Sequence, residues 1–290
     1  MFITRTLSGI VLLALTGLFL TLGGIPLMVV LALISSIGFL ELTKAVGIER
    51  GSKGINLLEV IGIIGIVGIY AVQILSILYK EAVDVVYLVG VVVLTIIVLL
   101  AAYVVTFPKY HATQIVEVIF ALIYVPVMLG FVGMTRALPG IGGKVVWLIW
   151  ISAWGSDTFA YVVGMLTART CGNHKAFPVL SPKKSYEGCI GGIVGAAALG
   201  MLFGKYVMGA EYNPILIGII CGIGSIIAQC GDLAASAIKR NFEIKDYGHC
   251  IPGHGGILDR FDSIIFTAPC IYFLVYFFLN VQSIQDALTH

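Results

Sequence analysis

The sequence predicts an all-α polytopic membrane protein of about nine transmembrane helices, with a polar active-site cavity facing the cytoplasm. Three observations support this. Of 290 residues, 59% are hydrophobic and 11% charged, too few polar side chains to cover a water-soluble surface. The apolar residues fall into nine stretches of about 18 or more, the length that crosses a bilayer. With the N-terminus inside, 13 of the 17 Lys and Arg fall on the cytoplasmic side and 4 outside, the bias expected of inner loops.

In chain order, the first span, 6–23, follows Arg5 and has the look of a signal peptide. A second apolar stretch, 26–45, begins at once with no hydrophilic chain between, so the first is read as an uncleaved span. Spans at 57–79, 85–107 and 113–135 carry few polar groups. Glu41 and Glu117 lie near apolar segments, and nothing in the sequence around them forms a constellation. The span 145–167 contains WLIWISAWGSDTFAYVVGML, and 187–208, 214–238 and 262–281 complete the set. The two polar loops, 168–186 and 239–261, then share one side. Residues 1–140 read as an N-terminal transmembrane platform of about five helices and 141–290 as a catalytic half of about four, in one continuous bundle. A net charge of +2 names no partner, and six singly placed Cys give no disulfide framework.

Nearly all candidate chemistry lies between 150 and 262. Asp157, inside an apolar span, would cost about 2.5–3.5 kcal/mol facing lipid, so it should face protein or a polar cavity. The alternative is a structural polar contact between helices. Tyr161 and Gly164 share its helix face. Asp232 leads a stripe with Ser236, Lys239 and Arg240 as its helix leaves the membrane. Snorkelling would explain the cations but not the carboxylate. Lys245 and Asp246 follow, then PGHGGILDRFD. Gly253, Gly255 and Gly256 let backbone N–H groups converge on an anion, although PGHGG alone could be a plain turn. Asp259 and Asp262 share one face at the start of the last helix, and His254 could donate to a phosphate or carry a proton. In SPKKSYEG, Ser181, Lys183, Lys184 and Ser185 could hold phosphate or simply meet anionic headgroups.

No GxxxxGK[ST] is present, which speaks against a P-loop. Cys171, His174, His249, Cys250 and His254 have no regular zinc spacing. Hard oxygen donors such as Asp157, Asp232 and Asp259 favour Mg2+ instead.

From Ser236 to Asp262 the sequence resembles the signature of phosphatidate cytidylyltransferases, also called CDP-diacylglycerol synthases. It supplies Ser236, Lys239-Arg240, Lys245-Asp246, Gly248, Pro252, His254-Gly255-Gly256 and Asp259-Arg260-Phe261-Asp262 at matching spacing. Asp157 to Tyr161 with Gly164, and Ser181 to Ser185 with Glu187-Gly188, resemble two further family segments. The family's usual Gly-Arg or Gly-Lys after the first is Ala168-Arg169 here, followed by CGNHKAFPVL.

The resemblance implies Mg2+-dependent condensation of CTP with phosphatidic acid to CDP-diacylglycerol and pyrophosphate, in a multi-pass protein of the cytoplasmic membrane. By that resemblance Asp232 and Asp259 are the leading metal ligands, of a centre that could hold a second cation, with Asp157, Asp246 and Asp262 behind them. Lys239, Arg240, Lys245 and Arg260 would neutralise phosphates, Lys183, Lys184 and Ser185 would hold substrate, and His254 with Gly255-Gly256 would complete an anion cradle. Membrane lipids are the expected surroundings; no nucleic acid partner is expected, and a homodimer is left open. The competing readings are an ion-coupled transporter using Asp157 and Asp232, or a nucleotidyltransferase for another lipid phosphate.

Overall fold

The computed structural model describes residues 2–47, 54–79, 85–170, 172, 174–253 and 255–280. Among them, eight helices are long and apolar enough to cross a membrane, and Thr6–Leu22 is a ninth, shorter apolar stretch. We number them α1 (Phe2–Leu22), α2 (Gly24–Ala45), α3 (Leu57–Tyr79), α4 (Val85–Thr106), α5 (Ala112–Arg136), α6 (Gly142–Thr170), α7 (Tyr186–Met208), α8 (Pro214–Asn241) and α9 (Leu258–Leu279). A helix stands at each of the nine expected positions, eight of them long and apolar enough to cross a membrane. The last begins at Leu258, one turn before the sequence pattern starts to look continuous, because its first residues are Asp259, Arg260 and Asp262 and carry no apolar signal.

The helices form two compact units. One comprises Met1–Ala137 with Asn241–Phe261, the other Leu138–Arg240 with Asp262–His290. In the first, α4 buries only Thr95 and Leu99 and turns the rest of its apolar surface outward, the arrangement of a helix solvated by lipid rather than water. Several polar side chains inside this unit find partners: the Ser35 and Tyr70 hydroxyls lie 2.7 Å apart. The fully buried Glu59 accepts from Thr43 Oγ1 at 2.7 Å and from the Asn56 backbone N–H at 3.0 Å. Pro126, which has no N–H to give, sits in a π-turn at Ile123–Val127 within α5.

In the second unit, α6 is interrupted by a π-turn at Ile151–Gly155, directly before Ser156 and Asp157. Such a turn re-aims the residues after it, and these commonly serve a site. A two-stranded antiparallel hairpin, β1 (Lys175–Phe177) and β2 (Ser181–Ser185), leads into α7. The sequence pattern gave no sign of it, since a three-residue strand has too few positions to show alternation. α7 lies very close to α6: a Cβ on Gly192 would stand 2.9 Å from the Ser156 carbonyl oxygen, and one on Gly188 2.8 Å from that of Ala160. Small residues at helix spacing are what allow backbones to approach this far in a membrane.

This seam should not tolerate a side chain. Gly192→Val is expected to destabilise the detergent-purified protein by about 1–3 kcal/mol, the usual cost of overpacking, read as a lower thermal midpoint. An unchanged midpoint would show that the two helices can separate freely.

Candidate active site

The second unit contributes the larger share of the expected residues. Ser185 ends β2 and caps α7, its hydroxyl accepting from the Gly188 N–H at 3.1 Å. Along β2, Lys183 is exposed and Lys184 half-buried. The Lys184 ammonium pairs with Asp232 of α8 at 2.5 Å, with about a fifth and a third of the two side chains exposed. A half-buried pair of this kind holds its members in place more than it stabilises the fold.

Two further carboxylates belong to the same neighbourhood. Asp262, 7% exposed, feels the charges of Asp232, Lys239 and Asp157. Three acids and two lysines thus act on one another in a mostly apolar unit. Asp157 and Lys184 also line a cavity of about 520 Å3, together with Tyr161, Arg169, Lys183 and Gln229. Ser181 is half-buried at the start of β2, and Ser236 is half-buried on α8. Arg240, at the end of α8, is exposed.

The first unit contributes the glycine-rich turn. Ile251 pairs with Gly255 through an N–H to carbonyl bond of 2.9 Å, and Gly253 and Gly255 take φ of 77° and 86°, where a Cβ is strained. Asp259 Oδ2 accepts from the Tyr247 N–H at 2.8 Å and the Gly256 N–H at 3.0 Å. A Cβ on Gly255 would lie 3.1 Å from Asp259 Oδ2 and 3.3 Å from Asp246 Oδ1, so both carboxylates flank this glycine. The Nε of Arg260 is buried and meets no acceptor among the described residues. Lys245 is exposed, and His254 lies outside the described residues.

Glu41 corrects the sequence reading, which found no constellation around it. Its two carboxylate oxygens accept one each from the backbone N–H groups of Ile257 (3.1 Å) and Leu258 (2.8 Å), at the start of α9. A side chain on Gly248 or Gly256 would run into the same carboxylate, with Cβ at 2.2 and 2.6 Å from its oxygens. Glu41 therefore caps α9 from 216 residues away. Only its acidity within an apolar span could have signalled this; its partner amides are invisible in sequence.

The expected metal ligands divide between the units: Asp157 and Asp232 in one, Asp259 in the other. Asp259 commits Oδ2 to the turn's backbone, a loop-holding role that the sequence reading did not assign. Among the described residues no three His, Cys, Asp or Glu converge closely enough to enclose an ion by themselves.

The chain matches the model of the cytidylyltransferase family over residues 3–278. It is similar to the phosphatidate cytidylyltransferase of Bacillus subtilis, 38% identical over 158 residues, covering 54% of this chain and 57% of the relative. It is 43% identical over 136 residues to the Rickettsia felis protein of that name, covering 44% and 58%. A Staphylococcus epidermidis protein of that name is 33% identical over 195 residues, 67% of this chain and 72% of the relative. The matches thus span somewhat over half the length of the first two relatives.

Partial burial, and then the charge of Glu41, push the Cys250 thiol above the ordinary thiol range. Glu41→Gln can accept only one of the two amides. Hydrogen exchange at Ile257 and Leu258 should then rise at least about tenfold, since a bond to a charged group is worth about 1.5–3 kcal/mol. Alkylation of Cys250 near pH 8 should also quicken as its thiolate fraction rises. Unchanged exchange and alkylation would show that the carboxylate does not hold this turn.

Proposed function

Starting from the cytidylyltransferase family, to which this chain belongs, we propose that it condenses CTP with phosphatidic acid, giving CDP-diacylglycerol and pyrophosphate. An oxygen of the lipid phosphate attacks the α-phosphorus of CTP, a new P–O–P bond forms, and the bond to the β-phosphate breaks with pyrophosphate leaving. The lipid phosphate is itself the nucleophile, so no covalent enzyme intermediate is required. The single observation that supports this reading is the Lys184–Asp232 pair, with Asp232, Lys239 and Asp157 each acting on Asp262 and Lys184 on the cavity wall.

The chemistry explains why such charges would be collected. Two phosphorylated anions repel: unit charges 4 Å apart cost about 4 kcal/mol at an effective dielectric of 20. Fixed cations that meet both substrates lower that cost before reaction, so the catalytic contribution is positioning and charge stabilisation. Lys183, Lys184 and Arg169 are the cations lining the cavity, and we assign them the substrate phosphates. Lys239 and Arg240 follow on α8. Lys245 and Arg260 belong with the glycine turn, where the Gly255-Gly256 backbone and His254 would complete the anion cradle.

The donor set fits Mg2+. Asp232, Asp157 and Asp262 offer hard carboxylate oxygens, and their mutual repulsion favours a cation among them. The lack of a protein-only cage among the described residues suits an ion that retains waters and binds substrate phosphates. Asp232 with Asp157 would hold it, Asp262 adding charge; Asp246 and Asp259 belong to the turn of the other unit. When bound, the ion would polarise phosphoryl oxygens. The excess of Lys and Arg on one side of the nine spans supports a cell-membrane protein with this site on the cytoplasmic face, where CTP is found.

The test incubates detergent-purified protein with labelled CTP, Mg2+ and a panel of lipid phosphates, and follows label into the lipid fraction. Phosphatidic acid should be the acceptor. Asp232→Asn and Lys184→Gln should each reduce incorporation by roughly a hundredfold or more, the scale of several kcal/mol of charge stabilisation, with thermal midpoints near the parent's. Incorporation that persists in folded Asp232→Asn would remove this residue from the machinery.

A further inference from the structure

Gln229 sits on α8, three residues before Asp232, and is part of the cavity wall. Its amide is held by a small network. Nε2 donates to the Cys189 carbonyl oxygen at 3.1 Å and to Ser156 Oγ at 3.2 Å, and Ser156 Oγ also receives the Ser225 hydroxyl at 2.7 Å. The two serines are fully buried. This network fixes which end of the amide is which. A backbone carbonyl can only accept, so the group facing Cys189 must be the NH2, and the flipped amide would set two carbonyl oxygens against each other. The Gln229 carbonyl oxygen is thereby turned away from Cys189 and Ser156, and no described residue donates to it.

An acceptor locked in this way selects for a donor. Of the two substrates in the reaction proposed above, the lipid offers ester carbonyls and phosphate oxygens, which are acceptors. Neutral N–H and O–H donors belong to the nucleoside. The cavity suits that end of the molecule: about 520 Å3 lies within the range of roughly 300–1,000 Å3 typical of small-molecule sites. Ala160, Tyr161, Met165 and Ala168 supply apolar wall, and Lys183, Lys184 and Arg169 supply cations for attached phosphates.

We propose that the Gln229 carbonyl oxygen is a specificity-determining acceptor for a neutral donor of the nucleoside, either the exocyclic amino group of the base or a ribose hydroxyl. This rests on the function proposed above. A site built to accept such a hydrogen bond penalises an analogue lacking the donor, because the acceptor then loses that bond.

The experiment compares parent and Gln229→Met for incorporation from CTP, UTP, dCTP and 3′-deoxy-CTP into phosphatidic acid, taking kcat/KM for each. UTP lacks the amino group, and each deoxy analogue lacks one hydroxyl. In the variant, the preference for CTP over one of these analogues should shrink about tenfold, the worth of one hydrogen bond. A collapse confined to UTP assigns the amino group, and one confined to a deoxy analogue assigns that hydroxyl. Ratios all within about twofold of the parent's, in a variant with the parent's thermal midpoint, overturn the inference. Gln229→Ala, which removes the oxygen without adding bulk or charge, serves if the methionine variant does not fold: it should lose the same preference, and a folded alanine variant with the parent's ratios overturns the proposal equally. A parent that incorporates no label defeats the proposed function and this inference with it, whereas unchanged ratios defeat the inference alone.

Discussion

A carboxylate carried by an apolar helix must be surrounded by donors or cations, because the hydrocarbon supplies neither. The way each acid here meets that requirement separates structure from chemistry. Glu59 is satisfied by Thr43 and a backbone amide, Glu41 by two backbone amides, and Asp259 Oδ2 by two more. Backbone donors cannot leave, so these acids fix geometry. Asp232 is met by a lysine side chain and acts on the carboxylate of Asp262. Its compensation can be exchanged for another cation, which is what a reacting site needs.

Glycine is the second half of the same constraint. Where Glu41 reaches across to the start of α9, Gly248 and Gly256 leave room for its oxygens. Where α7 lies against α6, Gly188 and Gly192 allow helix backbones to approach and bring β2, with Lys184, beside the helix that carries Asp157. Missing side chains therefore place charged ones in both units.

The helical spans were legible because twenty apolar residues in a row have few other meanings in physics. The glycine-rich turn and the acids around it were legible because such residues are out of place in an apolar chain. Three things were not. The hairpin β1–β2 is too short to carry a period. Glu41 looked solitary because its partners are main-chain amides 216 residues away, and amides have no letter of their own. Gln229 carried no signal in the sequence, since its orientation depends on a carbonyl of Cys189 and a hydroxyl of Ser156 that only the fold brings to it. Sequence shows which residues are costly to bury, and structure shows what compensates them.

The depth of Asp232 bears on how two unlike substrates could meet. It lies nine residues before the end of α8 at Asn241, roughly 13 Å along the axis at about 1.5 Å per residue. With that last turn at the membrane surface, Asp232 would lie about 12 Å along the helix below the exposed Arg240. In the reaction proposed above, a lipid phosphate would start near the surface and a nucleotide in water, and neither would reach that depth without a polar route. The cavity would provide one: exposed Lys183 lines it, and so does Lys184, which is paired with Asp232. Cations at successive positions would offset the loss of hydration as an anion moves inward, and the apolar residues between them limit the water that follows. That exclusion is what gives the fixed charges their strength, since the same lysine in bulk water would be worth far less.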